Sequence, residues 1–244
     1  MHPSVHAASS PDKPAVIVAE TGETISYAEL DTASNRAAQL FRSHGLKHDD
    51  VVAFMLENTP HYYGLTWGAQ RAGLRYVCIS SRLTQDETDY ILENSGAKML
   101  VVSASLASAA LQLETRIERY SMGGEIAGWT RIEDALAAMP ATRIADERAG
   151  VDMLYSSGTT GRPKGVKVPL PEEEEIDAPN SLVMLASAAF GINADSIYLS
   201  PAPLYHAAPL RWSMTIHRLG GTVVLMKKFD PEAALAAIQH CRCN

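Results

Sequence analysis

Residues 51–102 read VVAFMLENTPHYYGLTWGAQRAGLRYVCISSRLTQDETDYILENSGAKMLVV. Three runs in this stretch, 51–56, 74–79 and 98–102, are apolar, rich in β-branched or aromatic residues and bounded by turn formers, which predicts strands. The intervals between them carry helix signals. Thr59 and Pro60 open the first helix, since proline suits the first helical position, and Gly73 stops it. The second opens with Thr84-Gln-Asp-Glu87, a capping box in which hydroxyl and carboxylate satisfy free backbone amides, and it ends before Gly96. Strand, helix, strand, helix, strand predicts parallel pairing with helical crossovers.

The same alternation extends outward. Residues 14–19 read as a strand, and Ser26-Tyr-Ala-Glu29 forms a second capping box. Leu30, Ala33, Ala37, Leu40 and Phe41 then mark one helical face before Gly45 ends it. Near the other end, Asp230-Pro231-Glu232 opens a helix whose buried stripe is expected to be Ala234, Leu235 and Ile238. The fold class is therefore α/β, with layered, largely parallel sheets flanked by helices. No internal repeat and no clear linker interrupts it.

Composition excludes several classes. The 244 residues are 46% apolar and 20% charged, with 16 glycines and 13 prolines, which is ordinary globular usage. With 21 basic against 28 acidic residues the net charge is −7, so no general field draws the chain to nucleic acid. The first eighteen residues lack a secretory pattern, and no apolar run approaches the length needed to span a bilayer. Three scattered cysteines give no disulfide framework, and a cytoplasmic location is expected.

The densest chemistry lies in Tyr155-Ser156-Ser157-Gly158-Thr159-Thr160-Gly161-Arg162-Pro163-Lys164-Gly165. Four hydroxyl side chains, three glycines and two cations share eleven residues. Glycines let consecutive amides turn toward an anion, hydroxyls add donors and the cations add charge, so the loop suits a polyphosphate. A plain surface turn also uses Gly and Ser. Seven specified positions at about 7% each arise by chance with a probability of order 10⁻⁸, which disfavours that reading.

A P-loop NTPase would need Ser or Thr after the lysine and a helix beginning there. Here Lys164 is flanked by Pro163 and Gly165, and strand-like runs at 151–155 and 165–168 stand on either side. The loop is expected at the tip of a hairpin. The acidic run Glu172 to Glu175 reads as a solvated connection, since adjacent carboxylates repel and are poorly preorganised for a cation. His240-Cys241-Arg242-Cys243 does not match structural zinc spacings and reads as a chain end.

SSGTTGRPKGVK resembles the phosphate-binding signature of the adenylate-forming acyl-activating enzymes, among them the AMP-forming acyl-CoA synthetases. ISYAEL (25–30), GAQRAGLRYVCIS (68–80) with RLTQDETDYILENSGAKMLVV (82–102), and LSPAPLYHAAPL (199–210) resemble further blocks of that family in the same order. The resemblance implies a two-step reaction. A carboxylate attacks the α-phosphate of Mg²⁺-bound ATP, releasing pyrophosphate and forming an acyl-adenylate, and the thiol of coenzyme A then displaces AMP. Donors and cations aimed at the phosphate oxygens are what such chemistry needs.

By that resemblance Ser156 is expected to ligate Mg²⁺. Ser157, Gly158, Thr159, Thr160 and Gly161 would hold the β- and γ-phosphates while Lys164 counters their charge. His206 would stand beside the ATP phosphates and the carboxylate entrance, Ala207 would border the nucleotide, and Ala207, Ala208, Leu210 and Trp212 would line the acyl side. An apolar run after a proline is equally what a buried helix requires. The resemblance implies a carboxylic acid substrate, and the sequence does not decide whether it is fatty, aryl or polycyclic.

Family members are roughly twice as long, so residues 1–244 are expected to be the N-terminal portion of the large AMP-binding domain. The rest of that domain and the small C-terminal domain would be absent, and the chain alone inactive. An acyl-AMP ligase that loads a carrier protein and a noncatalytic remnant remain the alternatives. Loss of a covering half predicts exposed apolar surface and self-association.

Overall fold

A computed structural model describes residues 1–156, 163–171, 175–177 and 180–244. In chain order the elements are α1 (Pro3–Ser9), β1 (Pro14–Val18), β2 (Thr24–Ser26), α2 (Tyr27–Ser43), β3 (Val51–Met55), α3 (Tyr62–Arg71) and β4 (Arg75–Cys78). There follow α4 (Gln85–Ser95), β5 (Ala97–Ser103), α5 (Ala107–Ala110), β6 (Glu118–Met122), β7 (Thr130–Arg131), α6 (Ile132–Ala137) and β8 (Val151–Asp152). The remainder are β9 (Leu154–Ser156), β10 (Lys164–Val166), α7 (Ser181–Phe190), β11 (Ile197–Ser200), α8 (Ala207–Leu219), β12 (Thr222–Leu225) and α9 (Pro231–Cys241).

The chain divides into two compact units. One comprises residues 1–33, 58–64 and 176–244, the other 34–57 and 65–175. The second unit holds a six-stranded sheet of order β7-β6-β5-β3-β4-β8 in which every pair is parallel. All five residues of β3 are buried, as a central parallel strand covered on both faces requires. Val51, Ala53, Met55, Val77, Leu100 and Val102 pack with Ile91 and Leu92 of α4 and with Met153. The order reverses at β3: α3 leads to β4 on one side, and α4 carries the chain back to β5 on the other. In open α/β sheets, ligand sites form at the carboxyl ends of strands near such a reversal.

Both expected capping boxes are present. The Thr84 hydroxyl accepts from Glu87 N while the Glu87 carboxylate accepts from Thr84 N, and Gly96 ends α4 in the left-handed conformation. Ser26 and Glu29 exchange the same bonds, and these hold the Glu29 carboxyl below its ordinary pKa.

The first unit has a smaller mixed sheet, β11-β12-β1-β2, with the β1–β2 pair antiparallel. Its interior is partly polar. The Tyr27 hydroxyl donates to Gly221 O at 2.6 Å. His217 is fully buried, its Nε2 is 3.1 Å from Ala15 O, and the Tyr63 ring meets it edge-on at 4.8 Å. A carbonyl only accepts, so Nε2 carries the proton. Burial pushes the His217 pKa down to about 3.

Two expectations need correction. Helix α3 begins at Tyr62, because Thr59 and Pro60 belong to a preceding turn closed by Tyr62 N to Thr59 O at 3.1 Å. Helix α9 starts at Asp230 and Pro231 as expected, with Asp230 accepting from Ala233 N, but its buried stripe differs. Ala234 and Ala237 face inward, whereas Leu235 is 69% and Ile238 41% exposed. Small residues let the helix approach the sheet, and the larger apolar side chains then point away.

Candidate functional site

Strand β8 continues the large sheet beside β4, and Met153 N donates to Tyr76 O at 2.9 Å where β4 ends. The chain then enters β9. Strands β9 and β10 pair antiparallel, with Lys164 opposite Ser156, Gly165 opposite Tyr155 and Val166 opposite Leu154. The hairpin expected from sequence is therefore present, and it starts from the carboxyl edge of the parallel sheet. Lys164 is exposed at its base and Pro163 is buried. Ser157, Gly158, Thr159, Thr160 and Gly161 lie outside the described residues, as do residues 172–174 of the acidic run.

Three contacts anchor the hairpin within its unit. The first is at its start, where Gly150 N donates to Gln70 O at 2.6 Å. A Cβ on Gly150 would lie 2.2 Å from Leu74 O, so only glycine permits this approach. The second is at its exit, where Arg75, 4% exposed, donates to the Val168 carbonyl and to Asp49, both at 2.5 Å. The third is Tyr155, whose hydroxyl donates to Asn94 Oδ1 at 2.7 Å. Burial pushes the Tyr155 phenol up to about 12, so it is a donor at any physiological pH. None of these anchors carries a sequence signal, because each is a long-range contact.

His206 and Ala207 lie in the other unit. His206 is the N-cap residue of α8 with its backbone extended, and its side chain makes no capping bond. It is exposed, with the Tyr205 ring 4.6 Å away, which removes the buried core-histidine reading. A first helical turn whose amides no side chain caps favours an anion.

The segment leading to His206 is held by Asn58, a residue that sequence reasoning missed. Its Nδ2 donates to Ala202 O at 3.1 Å and Met226 O at 2.8 Å, and its Oδ1 accepts from Leu204 N at 2.8 Å. Along α8, Leu210 is 1% exposed. Trp212 meets Phe190 edge-on at 5.7 Å.

Among the described residues no group of three or more His, Cys, Asp or Glu is placed to hold a metal. The donor chemistry of the serine-rich motif is compatible with Mg²⁺ in one respect: a neutral hydroxyl oxygen could serve as one ligand to such a hard cation, with the remainder supplied by other groups. No helix among the described residues is long and apolar enough to cross a membrane.

The class that fold and site define agrees with known sequences. A family model described as "AMP-binding enzyme" matches residues 4–244, and the chain belongs to that family. It is 29% identical over 245 residues to a fatty acid–[acyl-carrier-protein] ligase, ScoC, of Streptomyces coeruleorubidus, covering 97% of this chain and 45% of that protein. It is 31% identical to 4-coumarate–CoA ligase 3 of Oryza sativa, covering 89% of this chain and 40% of that protein. The chain thus spans less than half the length of these curated relatives.

Solved structures bear out the fold. The N-terminal domain of FACL13 from Mycobacterium tuberculosis superposes with a TM-score of 0.80 at 24% identity, covering 99% of this chain and 60% of that one. O-succinylbenzoate coenzyme A synthetase from Bacillus subtilis, in complex with AMP, superposes with a TM-score of 0.77 at 22% identity, covering 99% and 59%.

Proposed function

We propose that residues 1–244 are the N-terminal, triphosphate-gripping portion of the large AMP-binding domain of an acid–thiol ligase. One observation carries this reading: the β9–β10 hairpin pairs Ser156 with Lys164 at the base of a loop of hydroxyls and glycines. Lys164 would counter the charge on the β- and γ-phosphates, which Ser157, Gly158, Thr159, Thr160 and Gly161 would hold through amides and hydroxyls. Ser156 would supply a ligand to Mg²⁺, which when bound neutralises phosphate charge. His206, exposed at the start of α8, would meet the nucleotide and the incoming carboxylate, with Ala207 beside it.

In the whole enzyme, a carboxylate oxygen of a fatty, aryl or polycyclic acid would attack the α-phosphorus as pyrophosphate leaves. A thiolate would then attack the acyl carbon and expel AMP. Coenzyme A is the thiol we assign. A carrier-protein thiol is the second reading, favoured by the likeness to the Streptomyces carrier-protein ligase.

Calorimetric titration of the 244-residue chain with Mg-ATP tests the grip. Weak saturable binding is expected, and Lys164→Ala should reduce affinity about tenfold, as loss of a charge-assisted contact of about 1.5 kcal/mol would. No binding by the unaltered chain, or equal binding by Lys164→Ala, overturns the reading. Sustained release of pyrophosphate by the chain alone would overturn its assignment as a portion that needs the rest of the domain for turnover.

A further inference from the structure

The third glycine of the loop motif has a job that phosphate binding does not explain. Gly165 lies in β10 directly opposite Tyr155, and its φ is not in the left-handed region, so backbone freedom is not what the position demands. A Cβ there would stand 3.0 Å from Tyr155 Cζ, 3.1 Å from its hydroxyl oxygen and 3.1 Å from Met153 Cε. The tyrosine ring therefore lies across the bare backbone of its cross-strand partner. Its hydroxyl reaches beyond β10 to the last turn of α4, where Asn94 Oδ1 accepts its proton at 2.7 Å.

Apart from the anchors at Gly150 and Arg75, the outer strand adds little packing of its own. Lys164, Gly165 and Val166 are all exposed, and it is the inner chain that meets the core, through Met153 and the partly buried Tyr155, near Tyr90 of α4. An exposed two-stranded ribbon is marginal unless something docks it.

We propose that Tyr155 and Asn94 are positioning residues for the nucleotide grip. The phenol, seated on Gly165 and tied to the end of α4, sets the angle at which β10 presents Lys164. This rests on the triphosphate reading above. It goes further by assigning part of that site's geometry to a side-chain bond between β9 and α4.

Two measurements on the full chain test it. Amide hydrogen exchange without ligand reads the docking alone. Tyr155→Phe, which keeps the ring and loses the donor, should raise exchange of those β10 amides that bond across to β9 about fivefold, the factor expected for one net hydrogen bond. Calorimetry with Mg-ATP reads the consequence. Tyr155→Phe and Asn94→Leu should each weaken binding three- to tenfold while lowering the melting temperature by only about 2 to 4 °C, the shift that one net hydrogen bond allows, and the double variant should be no worse than either single one. Asn94→Asp retains an acceptor and should bind within twofold of the unaltered chain. Gly165→Ala, which pushes the ring off its seat, should resemble Tyr155→Phe.

Unchanged exchange in Tyr155→Phe overturns the docking role whether or not nucleotide binds. Faster exchange together with unchanged Mg-ATP affinity overturns the positioning role. Absence of Mg-ATP binding by the unaltered chain with faster exchange in Tyr155→Phe removes the triphosphate reading, and with it the positioning role, while leaving the docking contact standing.

Discussion

The two segments assigned to nucleotide chemistry are held by opposite means. The β9–β10 hairpin satisfies its own backbone through cross-strand bonds and needs only docking. Residues 202–206 run between β11 and α8 without a strand partner, and Asn58 bonds two carbonyls and one amide there and at the end of β12. Regular structure pairs its polar groups by geometry, whereas irregular chain must borrow a side chain to do so. The hairpin is therefore sensitive to shape and the 202–206 segment to polarity.

The sharpest break is at Gly150. An added methyl 2.2 Å from Leu74 O and 2.9 Å from Ala69 O meets backbone that cannot rotate aside. Gly150→Ala should cost about 3 kcal/mol or more in urea unfolding. It should also detach β8 from β4, read as faster exchange at Val151 and Met153. A loss under 1 kcal/mol would mean that the approach is looser than described.

Acid comes next. His217 lies at the far end of the helix that His206 begins, and its pKa falls to about 3 when buried. The unfolded chain binds a proton near pH 6.5 that the folded chain refuses, so stability is intact above that pH and declines as pH falls toward 3. Between pH 6.5 and 4.5 this group alone removes about 2 to 3 kcal/mol. His217→Gln should flatten the decline in chemical melts, and an unchanged slope would assign the acid sensitivity elsewhere.

The smallest effect is at Asn58. Asn58→Ala strands partners that are only part-buried, so water recovers some of the loss and about 2 kcal/mol is expected. Asn58→Asp keeps the acceptor for Leu204 N but turns a carboxylate oxygen toward the Ala202 and Met226 carbonyls, so it should lose at least as much at neutral pH. A clearly smaller loss in Asn58→Asp would show that the accepted bond, not the two donated ones, holds the segment.

Much of this was legible in the linear chain. Both capping boxes, the strands around residues 51–102 and the hairpin flanking the loop follow from residue type and short-range spacing, because caps and turns act within four residues. Helix α1 was not legible. It has seven residues, and it is secured by His2 capping Ser4 N, His2 N on Asp177 and the amino terminus on Arg218 O. The α9 stripe was misread because apolarity says that a face prefers burial without saying which neighbour is near enough to cover it. Leu235, Ile238, and Met184, Leu185 and Phe190 on α7 stay exposed for that reason.

The alternating strands and helices named between residues 14 and 102, the start of α9, the hairpin flanking the loop, and the Gly- and hydroxyl-rich loop with its lysine were legible in sequence alone, since they depend on propensities and spacings within a few residues. Tertiary structure decided the rest. It decided that Asn58 holds the chain before His206, that Tyr155 crosses Gly165 to reach Asn94, and that Gly150 must lack a side chain. Each of those depends on atoms brought within bonding distance across 60 or more intervening residues, and no local pattern encodes such a meeting.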